Sequence, residues 1–247
     1  MKTSLAILIA SPLFHGSAAA SQAAHPAEAT AYTTFAESEL LDFRYSFPSL
    51  VGSRPELLAM LRADREKSHA EILAMAREDA KARQSNHYPF HPYDFWRDWT
   101  LVGESPTLLS LRSTTQSFTG GAHGMSTTGL ILWDDDKKAS LPFSGLFSFP
   151  SAYWSVLKDV TCAALAAERL RRAAIESTGC PKSDDLVFIP ANTNSDWAFD
   201  TIQVVADPYV AGSYAEGRYE VPVAVTSKLI AALKPEYRDS FEAQRLQ

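Results

Sequence analysis

The chain has 247 residues, with 23 lysine and arginine side chains against 29 aspartates and glutamates, a formal net charge of −6. This acidic balance, without a long basic run, argues against nucleic acid and anionic membrane surfaces as partners. The length is sufficient for one large domain or two small domains with a substantial core.

Residues 1–20 have the pattern of a secretory signal peptide. The basic Lys2 precedes an apolar stretch interrupted by Pro12, and small residues follow up to Ala20. The apolar stretch is shorter than the roughly 20 residues that a membrane-spanning helix needs, and no later segment approaches that length. We therefore expect cleavage near Ala20, export to the periplasm, and a flexible leader over residues 21–31.

The next region first alternates apolar and polar residues and then repeats apolar residues at helical spacing. Residues 41–47, LDFRYSF, alternate apolar and polar side chains, which is the period of a half-buried strand. Residues 52–84 repeat apolar side chains at helical spacing and predict one long amphipathic helix or two abutting helices. Ser53 is the expected N-cap, and Pro55 lies in the expected first turn.

An antiparallel meander is expected after this helix. Residues 107–118 and 126–133 have the pattern of two strands joined by the segment TGGAHGM, and residues 134–138, DDDKK, are expected to turn into a third strand. Glycine supplies the positive φ that tight connections demand.

The rest of the chain predicts a second helix over residues 150–177 and a short closing helix capped by Thr226. Three further strands are expected at residues 185–190, 197–207 and 218–225. Strands and helices come in blocks without regular β-α-β alternation. The predicted fold class is therefore α+β, with a mainly antiparallel sheet and packed helices.

The two cysteines, Cys162 and Cys180, both lie in the portion expected to be exported. An even number of cysteines in an exported protein indicates a disulfide, with free thiols as the alternative. Closing a loop of this length is worth about 3 kcal/mol. Two thiols without a neighbouring histidine do not complete a tetrahedral metal site.

Motifs for catalysis and metal binding are incomplete. His87 and His91 have the spacing of a helical metal pair, but Pro89 between them would break such a helix. Ser155 and Lys158 match one element of penicillin-recognising serine enzymes, whose K-T-G and S-D-N elements are missing. We expect no catalytic residue, no cofactor and no metal site.

The glycine-rich loop contains Gly120, Gly121 and a single histidine, His123. A phosphate cradle would need a lysine after the glycines, and a dinucleotide site would need a helix after the loop. A general base would need a partner, which the sequence does not name. The simplest interpretation is a tight connection between two strands, in which His123 forms structural hydrogen bonds or marks a recognition surface.

Two stretches resemble a known family. Residues 117–147 contain an aromatic residue, a Gly-Gly-Ala-His turn, a strand and a hairpin, and they end in Leu-Phe. Residues 204–230 contain a tyrosine before a small-residue loop, a glycine, and a strand with a Val-Pro step. Together they resemble the extracytoplasmic module, largely of unknown function, that is shared by the anti-sigma factor RsiV and the peptidoglycan deacetylase PdaC.

The resemblance implies an α+β fold with helices on an antiparallel sheet. It also implies an N-terminal subdomain over residues 32–112, similar to the weaker domain that precedes the signature stretches, and a C-terminal domain over residues 113–247. The candidate binding or signature loop residues that it implies are Gly120, Gly121, His123, Tyr209, Tyr214 and Gly217.

The expected function is that of a free-standing, non-enzymatic binding protein of the cell envelope, with lysozyme-like protein or peptidoglycan as its partner. RsiV-type modules bind lysozyme, PdaC-type modules accompany a separate catalytic domain on cell-wall glycan, and an acidic surface would attract a basic lysozyme. The alternatives are a glycan hydrolase or deacetylase that uses acidic residues and His123, and a purely structural envelope protein.

Overall fold

The computed structural model describes residues 32–173, 179–194 and 197–244. The predicted signal peptide, residues 1–20, and the leader, residues 21–31, lie outside the described residues. The described residues form a six-stranded sheet, a three-stranded sheet and packed helices. The predicted α+β class is therefore confirmed.

Nine strands and three α-helices are present among the described residues. The strands are β1 Tyr32–Glu37, β2 Leu41–Phe47, β3 Tyr93–Glu104, β4 Leu108–Phe118, β5 Met125–Asp134, β6 Ala139–Leu141, β7 Val187–Ala191, β8 Thr201–Ala206 and β9 Tyr219–Ala224. The helices are α1 Pro55–Ser85, α2 Ala152–Ala173 and α3 Ser227–Ala232.

The six-stranded sheet keeps its strands in chain order, from β1 to β6. Every adjacent pair is antiparallel except β2 and β3, which run parallel because α1 connects them as a crossover. The prediction of a mainly antiparallel sheet is confirmed. The boundary expected between residues 112 and 113 falls inside β4, which pairs with β3 on one side and β5 on the other. The division into two domains stays a prediction.

Helix α1 covers one face of the six-stranded sheet. Phe43 of β2 and Phe95 and Trp99 of β3 are buried in one cluster with Leu57 and Leu61 of α1. These sheet residues occupy odd-numbered positions, so the period of two in the sequence becomes one apolar face. Burying each such side chain contributes about 1.5–3 kcal/mol.

A polar network also ties α1 to this face. Tyr45 donates a hydrogen bond to Asp64 of α1 at 2.6 Å and accepts one from the indole nitrogen of Trp99 at 2.8 Å. Arg97 donates to the same Asp64 carboxylate at 2.7 Å. Burial, reinforced by the bond to Asp64, raises the pKa of Tyr45, so its hydroxyl stays protonated.

The predicted N-cap of α1 is wrong. Ser53 Oγ donates to the Leu50 carbonyl at 2.8 Å, and the cap position is taken by Arg54 without a side-chain hydrogen bond to the helix. Pro55 starts the helix, because its fixed φ suits the first helical position and it has no N–H to satisfy. Arg54 is instead held by Asp135, at 2.8 Å.

The opposite face of the sheet is covered only in part. Leu108 of β4 and Leu132 of β5 are buried there in a second core with Ile202 and Val204 of β8. This core also receives side chains from α2 and α3, and Thr226 caps α3 by accepting from the Leu229 amide, as predicted. Within the described ranges, the side chains on the same face of β1, β2 and most of β3 are half-buried or exposed, except for the buried Ser46.

Cys162 of α2 and Cys180 form a disulfide with Cα atoms 5.2 Å apart, which confirms the predicted pairing. The bridge joins α2 to the segment that leads into β7. Among the described residues, no helix combines the length and the apolar character that crossing a membrane would require.

Candidate functional site

The glycine-rich loop, residues 119–124, joins β4 to β5 at one end of the sheet. Gly120 has a φ of 79°, in the left-handed region, and an added Cβ there would lie 3.3 Å from the Arg83 guanidinium. At Gly121 an added Cβ would meet only the His123 carbonyl, at 4.0 Å. The turn therefore requires glycine at the first position and tolerates a side chain at the second.

Three of the predicted site residues meet in space, and we call them the aromatic cluster: His123, Tyr209 and Tyr214. The His123 ring stacks on Tyr214 with centroids 3.7 Å apart, and its Nε2 lies 3.1 Å from the Tyr209 hydroxyl. His123 Nδ1 lies 2.9 Å from the Gly124 carbonyl oxygen. Because a carbonyl only accepts, Nδ1 is the donor in the contact with Gly124.

The loop between β8 and β9, residues 207–218, brings both tyrosines to the histidine. Asp207, at its start, accepts hydrogen bonds from the Thr128 amide at 2.7 Å and the Thr128 hydroxyl at 2.8 Å. Arg218, at its end, donates to Asp207 and to Ser126, both at 2.8 Å. The Arg218 and Asp207 side chains are only 16% and 17% exposed, so solvent screens their pairing less than it would on an open surface. Both ends of the loop are thus fixed to β5.

Tyr214 sits on a short 3₁₀ turn that is closed by a capping box. The Ser213 amide donates to Glu216 at 2.7 Å, and the Tyr219 hydroxyl donates to the other Glu216 oxygen at 2.6 Å. These hydrogen bonds, the one from Tyr219 first, lower the pKa of Glu216 to about 2, so it is charged at neutral pH. Gly217 ends the turn with a φ of 74°, a conformation that suits glycine.

Tyr209 has an unusual backbone for an aromatic residue, with a φ of 75°. Its side chain is 59% exposed, and its ring centroid lies 5.7 Å from that of Tyr214. A strained backbone that presents an exposed ring is typical of functional positions rather than of packing.

An open groove of about 330 Å³ lies between Tyr214 and the open face of the sheet. Its floor combines one large aromatic ring with groups that donate or accept hydrogen bonds. The lining residues include Asp94, Trp96, Gln116, Met125, Ser126 and Tyr214.

The floor of this groove belongs to a line of side chains that crosses five strands, which we call the cross-strand row. Its members pair directly across the strands, so they share one face of the sheet. In order from β1 to β5 they are Phe35, Arg44, Trp96, Gln116 and Ser126.

Two aromatic rings of the row are unusually accessible: Phe35 is 68% exposed and Trp96 is 41% exposed. The Arg44 guanidinium lies 5.6 Å from the Phe35 ring centroid and forms an ion pair with Asp98 at 3.5 Å. Neither aromatic residue was among the sequence-predicted site residues. The period-two pattern that begins at Tyr93 is the signal that could have found Trp96, because it places this ring opposite the buried ones.

Asp94 lies beside Trp96 in the groove and pairs in register with Asp42 of β2. Burial, and to a smaller extent the charge of Asp42, raise the pKa of Asp94. In the part of the chain that the structure describes, no group of three or more metal-ligating side chains occurs. The groove can therefore offer an aromatic surface, carboxyl and amide groups, and hydroxyls.

The incomplete metal-binding and serine-enzyme motifs do not form sites in the structure. His87 lies in the turn after α1 and His91 just before β3, so they share no helical face. Ser155 and Lys158 are exposed on α2, and Ser155 donates to the Ala152 carbonyl at 2.7 Å.

Residues 35–126 match the family model described as Deacetylase PdaC. The match begins in β1 and ends in the second residue of β5, so it includes Trp96, Gln116 and His123. The match confirms the resemblance over this range. The match lies mainly on the part that the resemblance treated as less specific, and it does not reach the Tyr209 loop.

A solved structure extends the likeness of fold to most of the chain. A DUF3298 family protein from Pseudomonas aeruginosa PAO1 is 18% identical, with a TM-score of 0.51, covering 83% of this chain and 88% of that chain. A member of the same family from Bacteroides fragilis is 15% identical, with a TM-score of 0.47 and coverage of 80% and 91%. The first likeness shows a shared fold. No curated protein matches the chain.

Proposed function

We propose, on the premise that residues 35–126 form a PdaC-type domain, that this protein is a non-enzymatic binding protein of the cell envelope whose ligand is the glycan of peptidoglycan. The observation that carries the proposal is the groove itself, which is lined by exposed Trp96 on the sheet, by Tyr214 of the aromatic cluster and by polar side chains.

The chemistry of a sugar chain fits such a groove. A pyranose ring has apolar C–H faces and a rim of hydroxyl groups, so aromatic rings contact its faces while polar side chains bind its rim. Trp96 and Tyr214 supply the rings, and Gln116 and Ser126 supply both donors and acceptors. The Gln116 amide also suits the N-acetyl groups of peptidoglycan sugars, which each contain one donor and one acceptor.

The contacts of His123 support binding rather than catalysis. A histidine acting as a general base is commonly oriented by a carboxylate. Within the described ranges the two ring nitrogens of His123 contact the Gly124 carbonyl and the Tyr209 hydroxyl instead. These contacts fix the orientation of the ring, which stacks on Tyr214, a residue that lines the groove.

Export to the periplasm is part of the proposal. The signal-peptide pattern before Ala20 supports it, and so does the disulfide between Cys162 and Cys180, since disulfides persist in oxidising compartments outside the cytosol.

A second candidate ligand is a basic protein of the lysozyme type. The net charge of −6 favours it, because an acidic protein attracts a basic one at long range. The net charge does not indicate which surface would bind a basic protein, whereas the groove is a defined surface that suits a glycan. We therefore propose the glycan ahead of the basic protein.

The proposal is tested by co-sedimentation of the exported form with purified, protein-free peptidoglycan sacculi. We expect binding that falls about tenfold or more in Trp96→Ala and in Tyr214→Ala, a loss of about 1.4 kcal/mol or more. Phe149→Ala is the matched control, since Phe149 is a 72% exposed aromatic residue that does not line the groove, and it should bind normally.

Two parallel measurements separate the alternatives. Titration with a basic lysozyme at low salt reports protein binding, and a complex with lysozyme but none with sacculi would replace the glycan by the second candidate. Release of acetate or of new reducing ends from sacculi, abolished by His123→Ala, would contradict the non-enzymatic assignment.

A further inference from the structure

The open face of the sheet does not stop at the groove. The groove reaches β3 at Trp96, but the cross-strand row continues through Arg44 on β2 to Phe35 on β1. The loop between β8 and β9 contacts this face at β5. In the described part of the segment after β7, the Asn192 side chain contacts the end of β3, where it accepts from the Glu104 amide at 2.6 Å. A continuous surface thus leads from the aromatic cluster to the edge strand.

We propose that this whole surface is one extended binding site, occupied by a linear glycan chain that runs across the strands from the aromatic cluster to Phe35. The inference rests on the proposed function and deepens it: the ligand is a polymer segment of several sugars, and a single sugar or disaccharide fills only the groove.

The spacing of the strands sets the length of the site. Neighbouring strands lie about 4.8 Å apart, so the four intervals from Ser126 on β5 to Phe35 on β1 span about 19 Å. This is roughly the length of two disaccharides of a β-1,4-linked glycan. Trp96 and Phe35 are two strands apart, about 10 Å, which corresponds to roughly one disaccharide repeat. The two exposed rings could therefore contact equivalent sugars of successive repeats.

The charges along the row suit a chain that carries no strong charge of its own. Arg44 pairs with Asp98 at 3.5 Å, and Ser46 donates a hydrogen bond to the same carboxylate. The Arg44 guanidinium also lies over the Phe35 ring, 5.6 Å from the centroid. The cation at the middle of the surface is thus neutralised by the surface itself and needs no anion from the ligand.

Hydroxyl and carboxyl groups flank the aromatic rings. On one side of the row, Thr33, Asp98 and Thr114 lie in a line across β1, β3 and β4. On the other side, Asp94 lies next to Trp96. Such groups can donate to and accept from the hydroxyl rim of a sugar chain, while the rings contact its faces.

The test is a chain-length series measured by isothermal titration, with β-1,4-linked N-acetylglucosamine oligomers of two to six sugars as probes. We expect the affinity to rise from the disaccharide to the tetrasaccharide by about three- to tenfold, the contribution of one added aromatic contact, and then to level off. In Phe35→Ala the tetrasaccharide should bind only as tightly as the disaccharide, whose own affinity should not change. Trp96→Ala should weaken both.

Two further variants keep the result interpretable. Phe35→Trp should retain the gain for the tetrasaccharide, because it preserves an aromatic face, and Phe149→Ala should leave the whole series unchanged. Disaccharide binding with no gain on lengthening would overturn the extended site while leaving the proposed function standing. If neither the oligomers nor sacculi bind at all, both the proposed function and this inference fail.

Discussion

The two faces of β3 differ in what covers them. Phe95 and Trp99 point toward α1 and are 5% and 6% exposed, whereas Trp96 between them points the other way and is 41% exposed. Since side chains alternate along a strand, a single strand contributes to the core on one face and to the groove on the other. We therefore expect stability and the proposed binding to depend on different faces: changes on the covered face should destabilise the protein, and changes on the open face should alter binding.

Trp99→Ala should have the largest effect. Trp99 is buried against α1 and its indole nitrogen donates to Tyr45, so truncation removes packing and leaves a hydrogen bond unmade. We expect the free energy of unfolding in urea to fall by about 4 kcal/mol. A loss below about 1 kcal/mol would mean that the side chains between β3 and α1 do not form a stabilising core.

Reduction of the disulfide should come next. The bridge between Cys162 and Cys180 closes a sequence separation of 18 residues, and removing it should lower the free energy of unfolding by about 3 kcal/mol. Because the bridge lies on α2, outside both faces of β3, the folded fraction of a Cys162→Ala, Cys180→Ala variant should bind glycan as the wild type does. Loss of binding by the folded double variant would show that the two regions are coupled.

Trp96→Ala is the matched partner of Trp99→Ala, with the same residue type on the same strand but the opposite face. Its free energy of unfolding should change by no more than about 0.5 kcal/mol, as is usual at an exposed position. Binding to sacculi should fall about tenfold or more. An unfolding penalty similar to that of Trp99→Ala would remove the distinction between the faces.

The smallest effect should appear at Glu216, which supports Tyr214 at the edge of the open face. Its pKa is about 2 in the folded protein against an ordinary 4.5, so its carboxylate stabilises the turn above pH 4.5 and loses that contribution as the pH falls toward 2. Glu216→Gln should be less stable than the wild type at pH 6, and the difference should shrink at pH 3. A difference in unfolding midpoint that does not depend on pH would contradict this role.

Much of the fold could be predicted from local patterns. The alternation in residues 41–47, the cap at Thr226 and the pairing of Cys162 with Cys180 depend on neighbouring residues or on a count, and the structure bears them out. Strand β1 was missed because it is an edge strand whose side chains, Phe35 among them, are half-buried or exposed. The start of α1 was misplaced because Arg54 is held by Asp135, a partner distant in sequence.

The candidate site was predicted only as separate residues. The resemblance pointed to His123, Tyr209 and Tyr214, but their contact depends on the Asp207 hydrogen bonds to Thr128, which join strands far apart in the chain. The period of two that begins at Tyr93 places Trp96 opposite Phe95 and Trp99, but only the packing of α1 shows which of the two faces is buried.

The most direct test compares the indole N–H signals of Trp96 and Trp99 in a nitrogen-15 NMR titration with the N-acetylglucosamine tetrasaccharide, assigned by replacing each tryptophan in turn with phenylalanine. The two rings lie on the same strand, one facing the groove and the other bonded to Tyr45 beneath α1. We predict that the Trp96 signal shifts progressively to saturation while the Trp99 signal stays in place. A saturating titration that moves Trp99 and leaves Trp96 unchanged would contradict the assignment of recognition to the open face.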